Sequence, residues 1–77
     1  MVGVEVDLSE AARLYRMAAE QGNEWAQDSL AKMYRDGVGV DVDLSEAARL
    51  YRLAAEQGHV CSQEDLGNLL QGRPRTT

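Results

Sequence analysis

The sequence is short of several things, and each shortage excludes a class of protein. Cys61 is the one cysteine in 77 residues, so no internal disulfide can form and a disulfide-stapled secreted mini-protein is ruled out. One proline and an apolar share of 44% argue against a disordered chain. Basic side chains are outnumbered, 8 against 13 acidic ones, for a net charge of −5. Such a chain lacks the Lys/Arg footprint that grips phosphates, so nucleic acid is not an expected partner. Long apolar runs are missing too. Arg13, Arg16, Arg49 and Arg52 interrupt every candidate before the roughly 18 residues of a membrane span accumulate, so no membrane insertion is expected. The opening Val-Gly-Val is broken by Glu5 and Asp7 and follows no basic segment, so it does not read as a signal peptide. The expectation from the chain as given is a cytoplasmic location. Its length allows one small domain, of a size that buries only about 60% of the surface its unfolded chain would expose.

What the sequence does contain is a repeat. Shifted by 36 residues, Val2–Gly22 falls on Val38–Gly58 with two mismatches in 21 positions, Glu5 against Asp41 and Met17 against Leu53. The next fifteen residues, Asn23–Gly37 against His59–Arg73, keep only Gln27/Gln63 and Leu30/Leu66. One half of each unit is nearly invariant within the chain. The other half varies freely.

The invariant half reads as a capped helix. Asp43 suits the N-cap and Glu46, three residues on, completes a capping box; Asp7 and Glu10 repeat the pattern. Gly22 and Gly58 are natural stops, because a left-handed residue past the last turn costs glycine little. Leu44, Ala47, Ala48, Tyr51, Ala54 and Ala55 recur at helical spacing and fill an apolar arc, with Leu50 at its edge. So many alanines predict close approach of a neighbouring helix. Glu46/Arg49 and Arg52/Glu56 lie at exposed pairing distances. The variable half reads as a second helix with Ala26, Leu30, Ala31, Met33 and Tyr34 on its apolar face, ended by Asp36-Gly37-Val38-Gly39. Its later copy has Ser62, Leu66, Gly67, Leu69 and Leu70 on that face, closed by Gly72 and Pro74. The expected fold is all-α, an α/α helical repeat of four antiparallel helices at about 8–21, 24–35, 44–57 and 60–71, in about two 36-residue repeats. No segment reads as a convincing strand. Tyr15, Tyr34 and Tyr51 fall on core faces and are expected to pack there.

A unit of this design resembles the Sel-one-like repeat (SLR) family, a relative of the tetratricopeptide repeats. One full repeat, 24–58, carries the pattern: Ala26, Leu30 and Tyr34 in a first helix, Gly37, Gly39-Val40 and Asp43 in a loop, then Ala47, Tyr51, Ala54-Ala55 and Gly58. Residues 2–22 match the back half of a preceding unit and 59–73 the front half of a following one, with a tail at 74–77. There are departures. Ala31 stands where the family favours glycine, although Gly67 restores it. Ser62 replaces a small apolar residue, Leu70 a tyrosine and Arg73 the loop glycine. The resemblance implies a superhelical scaffold that binds proteins or peptides, often as an adaptor. Because the chain opens inside a repeat, a fragment, a minimal array or a designed piece of a longer array is also expected.

A candidate binding stripe follows from the helical wheel. With Ala26 at zero, Trp25 falls at about 260°, outside the apolar arc of its helix. Asp28, Lys32 and Arg35 share its face, and the matching positions of the last helix are Cys61, Glu64, Asn68 and Gln71. In tetratricopeptide-like arrays the corresponding stripe lines the concave groove. A tryptophan among charges has the composition of a binding hot spot. The alternative is that Trp25 folds back over the alanine-rich first helix as a peripheral core residue. A related tetratricopeptide subset grips C-terminal carboxylates with Lys and Asn, but Asp28 and Glu64 occupy two of the places where bases are wanted. The mixed charge instead leans toward a peptide of some basic character.

Other constellations are thinner. His59 and Cys61 offer two metal ligands where structural zinc takes four, and no further Cys or His exists, so neither metal nor cofactor is expected. The same two residues lack an identifiable orienting group or oxyanion site, so no enzyme is expected. Asp36, Asp41 and Asp43 miss the spacing of a calcium loop, and capping accounts for Asp43. Self-association is the second expectation. The outward side of helix 8–21 is more apolar than a terminal cap should be, and an end-to-end or two-fold homodimer would cover it.

Overall fold

The computed structural model describes residues 7–72. Among them run four helices, α1 (Leu8–Glu20), α2 (Glu24–Asp36), α3 (Leu44–Glu56) and α4 (Val60–Leu70), with no strand. These fall within a residue or two of the boundaries that capping and periodicity predict. The expected roles of Val2–Val6, Arg73 and Pro74, and the tail at 74–77, lie outside the described residues.

The caps behave identically in the two copies. The Asp7 and Asp43 carboxylates accept from the backbone N–H of Glu10 at 3.1 Å and of Glu46 at 3.0 Å. Only this half of the expected capping box forms, because Glu10 and Glu46 turn outward to Arg13 and Arg49. Of the two exposed pairs expected on α3, Glu46/Arg49 closes, while Arg52/Glu56 forms no ion pair among the described residues. Gly22 and Gly58 both take φ +92° and complete the same C-terminal motif. Gly22 N–H donates to the Ala19 carbonyl and Asn23 N–H to that of Ala18; Gly58 and His59 donate likewise to Ala55 and Ala54.

Each helix packs against its neighbours in the chain, α1 on α2, α2 on α3 and α3 on α4. The core holds Ala12, Ala19, Ala26, Leu30, Ala31, Met33, Ala47, Leu50 and Tyr51, with Leu66 and Leu69 packed partly against it. Alanine dominates because small side chains let antiparallel helix backbones come close. Leu44 departs from expectation: at the very start of α3 it is exposed, while Leu50, placed at the edge of the arc, is buried. The loop between α2 and α3 reaches back over the start of α1. There Gly39, at φ +76°, lies so near that an added Cβ would meet the Leu8 carbonyl oxygen at 2.4 Å.

Identical sequences meet different surroundings in the two copies. On α3, Leu50 and Tyr51 are 2% and 0% exposed, whereas their counterparts Leu14 and Tyr15 on α1 are 52% and 40% exposed. Tyr15 is therefore not the core residue that its helical position predicts. Tyr51 is enclosed beside α2, where its hydroxyl accepts from Arg35 Nη1 at 3.1 Å. Burial drives that phenol well above the ordinary tyrosine range, and the adjacent guanidinium only partly opposes it. No helix lies across the matching face of α1 among the described residues.

Candidate functional site

Of the expected stripe, Trp25 and Asp28 lie where the N-terminal halves of α2 and α4 meet. Trp25, second residue of α2, is 69% exposed. Its ring stands edge-on to His59, with centroids 4.6 Å apart and planes at 81°. The indole thus lies on the α2/α4 side, and the alternative of a side chain folded over α1 is not adopted.

His59 is the residue that sequence reasoning undervalued. It opens α4 as a backbone N-cap without a side-chain capping bond, and it is buried. Its Nδ1 lies 3.6 Å from Glu24 and its Nε2 3.9 Å from Asp28. The imidazole fills the junction between the two helices and forms a wall for Trp25. The sequence offered one signal: a ring directly after the glycine stop, at the place where the first copy has Asn23.

Asp28 corrects the expected stripe. It is buried, not open to a groove. Ser62 Oγ donates to one of its oxygens at 2.8 Å, and Lys32 Nζ meets the other at 3.1 Å. Ser62, an apparent departure from a small apolar residue, therefore has a physical cause. A buried carboxylate needs donors, and the hydroxyl supplies one from the facing helix. The neighbouring positions follow suit. Lys32 is half-exposed and committed to Asp28. Arg35 holds Asp36 through two bonds of 2.9 Å as well as Tyr51, and the Asp36 carboxylate first among its surroundings raises the guanidinium's pKa. Cys61, Glu64 and Gln71 are exposed and Asn68 is half-buried.

Of the expected stripe, Trp25, Cys61, Glu64 and Gln71 are thus exposed and Lys32 half-exposed, while Asp28 ties α2 to α4 and Arg35 ties α2 to α3. Among the described residues no group of three or more His, Cys, Asp or Glu side chains is placed to hold a metal ion. No helix of the described residues is long and apolar enough to cross a membrane.

A cleft of about 370 Å³ lies elsewhere, between α1 and α3 with α2 as its floor. Leu30, Leu50 and Leu53 form its apolar part, and Arg16, Glu20 and Arg49 its rim. None of the predicted stripe residues lines it. Its guanidiniums are already engaged, Arg16 with the Tyr34 hydroxyl and ring, and Arg49 with Glu46. The two copies of the invariant helix are splayed here, and the space is a consequence of that packing.

Capped, alanine-packed helix pairs at a 36-residue period define a helical-repeat scaffold. The chain belongs to the Sel1 repeat family, whose family model matches residues 2–23 and 26–59. Comparisons with curated proteins and with solved structures return no match. Sel1 repeats are protein-interaction scaffolds, a non-catalytic class of module.

Proposed function

We propose that this chain binds a protein or peptide partner across the α2/α4 face, with Trp25 as the anchor. The observation that carries the reading is a tryptophan left 69% exposed while held by a buried imidazole. An indole fixed in one orientation loses little conformational freedom on binding, which is what makes preorganised aromatic residues effective anchors. The rim around it is polar and of mixed sign, with Lys32 on one side and Glu64 on the other. The mixed charge of this rim favours a ligand carrying a base near its apolar contact. A carboxylate clamp finds no support, because Lys32 is already committed to Asp28.

Selection of binders from a displayed random-peptide library tests this reading. Selected peptides should pair an apolar or aromatic residue with Lys or Arg and should lose about 30-fold in affinity, roughly 2 kcal/mol, against Trp25→Ala. Peptides that bind the folded variant equally well would remove this face from consideration.

Self-association is a second reading with an observation of its own. Leu14, Tyr15 and Met17 on α1 are all at least 40% exposed, although the first two are buried at their repeat counterparts in α3. A contiguous apolar helix face of this kind is characteristic of a surface that another protein surface covers.

A further inference from the structure

The repeat specifies what would cover α1. We propose that copies of this chain associate head to tail, α4 of one copy docking on α1 of the next and recreating between molecules the α2/α3 packing within each. The proposal rests on the self-association reading and deepens it by naming the partner surface.

The template is inside the molecule. In the α2/α3 pair, Leu30 of α2 faces Leu50 and Leu53 across one cleft, Arg35 bonds the Tyr51 hydroxyl, and Gln57 Nε2 donates to Gln27 Oε1 at 2.9 Å. Helix α1 repeats α3 with Met17 for Leu53 as its sole change, so it presents Leu14, Tyr15 and Gln21 where α3 presents Leu50, Tyr51 and Gln57. All three are exposed.

The other half of the match is on α4. Gln63 stands at the position of Gln27 and repeats its anchoring bond: Gln27 Nε2 donates to the Ala19 carbonyl and Gln63 Nε2 to the Ala55 carbonyl, each at 3.2 Å. The geometry that aims the Gln27 amide oxygen at α3 is therefore already built at Gln63. There the next donor in the ladder is the partner's Gln21. Leu66 and Leu69 stand at the positions of Leu30 and Met33. The α2 residues are 1% and 8% exposed, whereas Leu66 and Leu69 are half-buried and Leu70 is 65% exposed. Helix α4 carries open the apolar surface that α3 covers on α2. A two-fold pairing of α1 with α1 would bury Leu14 and Tyr15, but it would leave these leucines open and has no counterpart within the chain.

A head-to-tail contact uses two different surfaces and does not close on itself, so it adds copies in series. Sedimentation velocity of the 77-residue chain over a loading series reads this directly. Weight-average mass should rise past twice 8.5 kDa with no plateau at the dimer. A monomer at every concentration overturns both this proposal and the self-association reading; a plateau at two overturns the head-to-tail arrangement alone. Leu14→Glu spoils the α1 face and Leu70→Lys that of α4, both at exposed positions outside the core. Each variant alone should remain monomeric, and an equimolar mixture should form a one-to-one complex, since each retains one good face. Self-pairing of the α4 variant, or a mixture that stays monomeric, would overturn the proposal.

Discussion

Gly39 shows how much one backbone position can carry. Its φ of +76° is a conformation L side chains rarely adopt, and it also lies against the backbone of Leu8, where an added methyl would be 2.4 Å from a carbonyl oxygen. Gly22 shares the first property, at φ +92°, but has open space around it. Alanine at Gly22 should therefore cost only the left-handed conformation, about 1 kcal/mol, while alanine at Gly39 adds a clash with backbone and should cost roughly 3 kcal/mol. Urea denaturation of the two variants checks the order. Equal losses would mean that the α2–α3 loop is not pinned to α1. The two glycines cannot be told apart by their φ; only the approach of a distant segment separates them.

Between elements, the informative contact is the tie of α2 to α4. Helix α4 is the shortest of the four and has no side-chain bond at its N-cap; it packs on α3, and side chains of α2 tie it from a second side. The Ser62–Asp28 bond is buried and charge-assisted, a kind of interaction worth about 1.5–3 kcal/mol. Ser62→Ala should lower stability by about 2 kcal/mol, and Asp28→Ala by a similar amount by leaving the Ser62 hydroxyl without its acceptor. In the double variant, thermal denaturation should recover about 1–2 kcal/mol of the summed loss. Additive losses would show that the two groups act separately. The same tie holds His59 against Trp25, so Ser62→Ala should also alter the fluorescence of the chain's one tryptophan. Fold support and the proposed binding site share these residues.

At the scale of the whole molecule, the acidic composition becomes a statement about pH. Hydrogen bonds from Arg13, Arg35 and Arg49 hold the carboxyls of Glu10, Asp36 and Glu46 below their ordinary values. A carboxyl with a depressed folded pKa binds fewer protons folded than unfolded, so its stabilisation is present above the unfolded value and is lost as pH falls through the folded one. The denaturation midpoint should thus fall between about pH 5 and about pH 3. Replacing Arg49 by Met should flatten that decline, since Glu46 then titrates near its ordinary value in both states. An unchanged slope, measured across the same range, would show that the pair exerts no effect in solution.

Much of this molecule is determined by local sequence. The 36-residue period, the Asp N-caps, the glycine stops and the alanine spacing fix four helices and their order, because each acts within a few residues of chain. They also place Trp25 outside the apolar arc of its own helix. What they cannot fix is what stands opposite a given face, and the chain carries its own control for this. Leu14 and Leu50 sit in nearly identical segments, yet one is half open to solvent and the other closed, because among the described residues only α3 has a helix packed against that side. The same limit explains Asp28, Ser62 and His59. Their helical positions are legible in sequence, but the bond from Ser62 to Asp28 spans 34 residues and exists only once α2 and α4 lie side by side. Local chemistry makes the helices. Tertiary packing decides which of their identical faces are core and which remain open to a partner.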